Sequence, residues 1–177
     1  MLRRGCLPFQ GAVLRSRQRV VVVALLSLGC QGQNQTVLPQ SAQQASVDRT
    51  VYAWMQCQDC MSREREEVVA RGDSAVTRLR AILIAGPPPS HMTAVQKSLQ
   101  YLVTHADSGH VPTNQALTAQ MEAFRSMYRI RAASALAGIG STSALSALCA
   151  GVAVSTPGSA VREAALAGVR AIGGSCP

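Results

Sequence analysis

Tyr128-Arg129-Ile130-Arg131-Ala132-Ala133-Ser134-Ala135-Leu136-Ala137-Gly138-Ile139-Gly140 has a second version 33 residues further on, Val161-Arg162-Glu163-Ala164-Ala165-Leu166-Ala167-Gly168-Val169-Arg170-Ala171-Ile172-Gly173. Arg129 aligns with Arg162, Ala132 with Ala165, Leu136 with Val169, Ile139 with Ile172 and Gly140 with Gly173. The aliphatic spacing is that of a helix with one inward stripe. Alanines in the stripe let a neighbouring helix approach, aliphatics fill the seam, and a glycine ends the helix before the turn. A unit this short cannot bury its apolar face alone and must stack on a copy of itself. Arg129 and Arg162 hold matching positions, so both are expected to bond a neighbouring turn.

Working outward, Gly140 is followed by Ala144, Leu145 and Leu148, as Gly72 is by Ala75, Val76 and Leu79, which suggests a third unit. Ser46 can cap a helix with Val47, Val51, Trp54 and Met55 inward, and a short charged helix from Glu64 to Arg71 ends at Gly72. Asp73 or Ser74 caps the next, with Val76, Leu79, Ile82 and Leu83 inward, stopped by Gly86-Pro87-Pro88-Pro89. Ser90 opens a helix with Val95, Leu99, Leu102 and Val103 on one face, ending near His105. After a loop, Thr113 caps a long helix to about Ala137, and helices over 142–150 and 159–172 finish the chain. No run alternates with period two. The expected fold class is therefore all-α, about six to seven helices, built as a short helical-repeat solenoid. Residues 90–127 lack the repeat signature and are expected as an extended helical hairpin.

The repeat over 128–173, with a fainter match over 47–85, resembles HEAT repeats, in which helix pairs stack into a curved solenoid. The segments Trp54-Met55-Gln56-Cys57-Gln58-Asp59-Cys60 and Gly72-Asp73-Ser74-Ala75-Val76 also resemble exported bacterial HEAT-repeat domain proteins. That resemblance implies a protein-binding surface rather than a catalytic one. Some HEAT-type proteins are bilin lyases, but no residue here independently signals that chemistry.

The N-terminus carries an address. Arg15, Arg17 and Arg19 precede Val20-Val21-Val22-Val23-Ala24-Leu25-Leu26-Ser27-Leu28-Gly29-Cys30, a basic region, a short apolar run and a small residue before a possible cut. As a helix the roughly ten apolar residues reach about 15 Å, half a hydrocarbon core of about 30 Å, too short for a permanent span. Leu26-Ser27-Leu28-Gly29-Cys30 resembles the lipobox of bacterial lipoproteins, which implies acylation of Cys30 and cleavage before it. Several acyl chains, at about 0.8 kcal/mol per buried methylene, anchor firmly. Residues 31–45 are Gln-rich, nearly uncharged and without helical periodicity, the character of a tether. The expected division is a signal peptide over 1–29, a disordered tether over 30–45 and a helical domain over 46–177.

That division also settles the charge. The chain has seventeen bases and nine acids, a net +8, but residues 1–29 hold five of the bases and no acid. The rest carries twelve bases against nine acids, a net +3, with aromatic residues at only 3% of the chain. Neither a basic stripe nor a stacking platform is present, which argues against nucleic acid.

Four cysteines remain after Cys6 goes with the signal and Cys30 takes lipid: Cys57, Cys60, Cys149 and Cys176. An even number in an exported chain favours disulfides. Three pairings are possible, and Cys57–Cys60 with Cys149–Cys176 is the favoured one, the second closing a long loop worth about 3 kcal/mol. Cys57-Gln58-Asp59-Cys60 lacks the histidine of a haem-attachment motif, since Met61 follows, and lacks a compact second ligand pair for zinc. A thioredoxin-like pair sits where a strand meets a helix, and no strand is expected. His105-Ala106-Asp107-Ser108-Gly109-His110 reads as a loop before it reads as a metal site. Glu64, Glu66 and Glu67, interleaved with Arg63 and Arg65, read as a solvated face with weak ion pairs. There is no nucleophile elbow and no phosphate loop after a strand. The expectations are no catalytic residue, no metal, no cofactor and no evident small-molecule substrate. The partners expected are membrane lipid through Cys30 and another envelope protein, in the bacterial envelope, at the outer membrane where the cell has one. A thiol-redox role for Cys57 and Cys60 is the alternative.

Overall fold

Gly72, Gly140 and Gly173 take positive φ values of 56°, 68° and 75°, and a helix closes just before each of them. Four residues earlier stand Val68, Leu136 and Val169, all buried. A left-handed residue turns the chain back sharply, and the aliphatic before it fixes the helix end on the core. The computed structural model that shows this describes residues 39–57, 62–105 and 112–177.

Among the described residues there are seven helices and no strand: α1 (Gln40–Gln56), α2 (Ser62–Val69), α3 (Asp73–Ala85), α4 (Pro89–His105), α5 (Asn114–Ile139), α6 (Thr142–Val154) and α7 (Ala160–Ile172). Helices α1 with α2, α3 with α5, and α6 with α7 pack as pairs. The first members, α1, α3 and α6, stack in that order as one layer, and α2, α5 and α7 stack as a second. The architecture is a short solenoid-like repeat bundle. Its core runs between the layers through Val51, Met55, Leu79, Leu83, Tyr128, Leu136 and Leu148. Alanines at 75, 132, 133, 144 and 165 are buried where helices meet. Gly151 does the same inside α6, where a Cβ would lie 2.4 Å from Leu83 Cδ2; the helix runs through it to Val154 instead of stopping near 150.

The first-layer helices share one ending. Arg129 donates from Nε to the Leu83 carbonyl of α3 (2.7 Å), and Arg162 donates from Nη1 to the Val152 carbonyl of α6. Each carbonyl stands two residues before its helix ends. Arg131 does the equivalent for α1, donating from Nη1 to the carbonyls of Trp54, Met55 and Cys57. Last-turn carbonyls have no partner inside the helix and sit at the negative end of its dipole, so a guanidinium both satisfies and neutralises them. Buried Ser155 ties two units together, accepting from Arg129 Nη2 at its hydroxyl and from Arg162 at its carbonyl.

One expectation needs correcting and a second needs completing. Helix α1 begins at Gln40, so 40–45 belong to it and not to a disordered tether. Pro39 supplies a helix-compatible start, and Gln and Ala are good helix formers; these turns bury nothing, so no amphipathic pattern announces them. The stripe Val95, Leu99, Leu102 and Val103 has the helical face expected, but α4 has no buried residue at all. Periodicity reports a side that wants covering, and here α5 alone lies against it. Smaller differences lie at helix ends: α2 runs Ser62–Val69 and α4 opens at Pro89, its first helical position.

Candidate functional site

The unit formed by α3 and α5 is longer than its neighbour by an insertion. Gly72 to Arg129 spans 57 residues and the equivalent Gly140 to Arg162 spans 22, a difference of 35. Thirty-five residues are the length of 89–123, which is α4, the connection and the first part of α5. The hairpin thus leaves the solenoid after α3 and rejoins it where α5 meets α3 and α7.

Its beginning is built by sequence. Gly86, with φ 83°, ends α3, and the three prolines bar continuation while fitting the entry to α4. At the far end Thr113 caps α5 by accepting from the Ala116 amide (3.1 Å). Between the two helices, Leu99 and Val103 face Leu117 and Met121 across a groove of about 550 Å³, with the Glu122–Arg125 ion pair at its edge. On the other side, Val95, Leu99, Leu102 and Phe124 line a groove of about 410 Å³ that has no charged residue. Tyr101 and Leu102 are 61% and 56% exposed. Apolar side chains this open, and contiguous, mark an interaction surface more often than isolated ones do.

His91 pins the hairpin's root to the solenoid. Its Nδ1 lies 2.9 Å from the hydroxyl of buried Tyr128, and Gln56 Nε2 lies 3.0 Å from its Nε2. Tyr52 sets its ring edge-on at 4.9 Å. Tyr52 and Gln56 come from α1 and Tyr128 from α5; Arg131 adds a nearby positive charge that acts on Tyr128. Burial holds the His91 pKa below 6.5, and burial raises that of Tyr128 above 10.0. A histidine depressed on folding takes up a proton more readily when unfolded. Its stabilising contribution is therefore complete above about pH 6.5 and is lost as pH falls through the lower folded value. Urea midpoints at pH 7.5 and 5.5, compared with His91→Asn, check this: the parent's excess stability shrinks at the lower pH. An excess equal at both values would refute it.

The remaining expected site residues fall as follows. Cys30 and Cys60 lie outside the described residues, as do Asp107 and His110. Cys57, just past α1, is disulfide-bonded. Cys149 on α6 and Cys176 in the C-terminal tail form a disulfide with Cα atoms 5.3 Å apart. Leu136 and Val169 are buried, Ile139 and Ile172 half-buried, and Arg129 and Arg162 bond the turns of the preceding helices. His105 stacks on Tyr101. Of the charged cluster, Arg63–Glu67 is an exposed pair, but Arg65 crosses to α5, donating to the hydroxyl and carbonyl of Ser134 (3.0 Å each). It is not part of a solvated face. Asp73, accepting from Ser141 and Ser143, joins the starts of α3 and α6 and has its pKa held down by those two hydroxyls.

Among the described residues no three His, Cys, Asp or Glu side chains gather as metal ligands, and no helix is long and apolar enough to cross a membrane. No family model, curated protein or solved structure matches the chain.

Proposed function

We propose that this chain is an exported protein of the bacterial envelope, anchored by lipid on Cys30, in which a HEAT-like solenoid serves as a non-enzymatic scaffold. In this reading the α4/α5 hairpin is its binding arm for another envelope protein. The observation that supports it is the hairpin: 35 residues interrupt the middle unit, and α4 buries none of its side chains there. A solenoid does not need such an insertion to stack its units, and insertions in repeats commonly map to a binding face. The lipobox resemblance supports the address, and the uncharged groove of the hairpin argues for an apolar partner over nucleic acid. The anchor is tested by intact mass of the mature protein and by fractionation of Cys30→Ala. The expected results are an acylated Cys30 at the N-terminus and loss of the variant from membranes. A different mature N-terminus, or a variant that stays membrane-bound, refutes it.

A thiol-redox role for Cys57 and Cys60 is the second reading. It is favoured by the Cys57-Gln58-Asp59-Cys60 spacing and by the disulfide-bonded state of Cys57, at the end of a helix whose last carbonyls are held by Arg131. Thiol titration against a graded glutathione couple separates the two. A Cys57 disulfide that opens near the compartment's potential supports redox cycling, and one that resists supports the scaffold.

A further inference from the structure

We propose that two copies of this chain pair through the outer face of the α4/α5 hairpin, laying hairpin against hairpin as a four-helix bundle. The proposal rests on the hairpin being the binding arm, as above, and names what it binds first.

The need for a cover comes from packing. Two helices joined by a loop have one seam between them, and beyond the His91 contacts at its root that seam is the main packing α4 has. Leu102 and Tyr101 are more than half exposed, and Val95, Leu99 and Phe124 line an open groove beside them. Short helices are marginal unless an apolar face is packed. A second hairpin supplies that layer, in the arrangement by which antiparallel helix pairs most simply close a core.

The area is sufficient. Helix α4 has 17 residues, so it is about 25 Å long at about 1.5 Å per residue. Two helices of about 10 Å diameter present a face about 20 Å wide, or about 500 Å² in projection. Two copies then bury about 1,000 Å², the size of a weak, transient interface. The pairing is expected to be weak in solution, with Kd in the micromolar range. Tethering both copies to one membrane would raise their effective concentration and strengthen the pairing.

The charge pattern selects the occupant. A two-fold interface sets each patch against itself, so a charged patch repels its copy. The outer groove contains no charged side chain, and Lys97 is the single charge on the adjoining strip with Ser98, Tyr101 and Leu102. The ion pair of Glu122 and Arg125 lies on the opposite groove and neutralises itself. An anionic membrane surface would call for a basic cluster, which this face does not have.

The test is the mass of the full chain in mild detergent by light scattering with sedimentation, between about 1 and 200 µM, for the parent, Leu102→Glu and Val154→Glu. Leu102 and Val154 are equally exposed, at 56%, so both variants keep the fold, which circular dichroism verifies. The parent is expected to pass from monomer to dimer, Val154→Glu to follow it, and Leu102→Glu to pair at least tenfold more weakly. A parent monomeric throughout, a Leu102→Glu variant that pairs normally, or loss of pairing in Val154→Glu overturns the proposal. Recovery of a second protein from native membranes is read in parallel. If self-pairing is absent while Leu102→Glu releases such a protein, self-pairing falls and the binding arm stands; if the substitution changes neither, both fall.

Discussion

Leu136→Ala is expected to lower the unfolding free energy by about 3–4 kcal/mol, whereas Leu102→Ala lowers it by less than about 0.5 kcal/mol. Both positions carry leucine on a helix of regular period, so the difference measures what covers each. Leu136 is fully buried four residues before the glycine that ends α5, in the hydrophobic core. Truncating it removes several buried carbon atoms and leaves a cavity in a region crowded with alanines, which have no flexible ends to swing in and fill it. Leu102 is 56% exposed on the hairpin, and its truncation changes little that is buried within one chain. Urea unfolding followed by circular dichroism, at concentrations low enough to keep the chain monomeric, supplies both numbers. Equal losses at the two sites would mean that the hairpin is part of the cooperative core, and the separation of solenoid from arm would fail.

The parts of this fold legible in the sequence are those whose chemistry recurs at a fixed spacing. Gly140 and Gly173, with Leu136 and Val169 before them, announce two helix ends; Gly72 and Val68 announce a third more faintly, because the charged turn of Glu64, Glu66 and Glu67 replaces the alanines found in the other two. Arg129 and Arg162 were readable as bonds to neighbouring turns because they keep register with those glycines. Arg131 was not, although it makes three carbonyl bonds, because its counterpart at the repeat offset is Ala164 and its partners lie 74 to 77 residues away. The Asp73 link to Ser141 and the His91 link to Tyr128 share that difficulty: both depend on how units stack, and a local pattern holds no record of stacking. Arg65 shows the reverse error. Its setting among acids suggests a surface residue, yet its stem is long enough to cross to α5, where Gly138 leaves space: a Cβ at that position would lie 2.9 Å from the Arg65 guanidinium. The candidate site itself was half legible. A missing repeat signature over 90–127 points to a hairpin, and the stripe on α4 points to an apolar face. Whether a face is covered is a property of its neighbours, which is why the stripe alone does not reveal that this face stays half-exposed.

Removing the Cys149–Cys176 disulfide with paired serine substitutions is expected to cost about 3 kcal/mol and to lower Tm by about 10 °C. The bond joins residues 27 apart in sequence, so most of its effect lies in the unfolded chain, where it shortens the accessible loop. In the folded chain it ties the segment after α7 to α6. That segment lies on α6, with Gly174 against Leu145 so closely that a Cβ would lie 2.6 Å from its Cδ1. Without the covalent tie, the tail is held to α6 by a few side chains around a shallow groove of about 500 Å³. The serine variant should therefore lose its last residues to carboxypeptidase at a rate the parent resists, before any global unfolding. The variant is the sound comparison, since reductant would open the Cys57 disulfide as well. A Tm within about 2 °C of the parent would show that the tie between the tail and α6 contributes nothing to stability. A loss near 3 kcal/mol corresponds to a more than hundredfold change in the folded-to-unfolded ratio, so the domain would be markedly less stable wherever its thiols stay reduced.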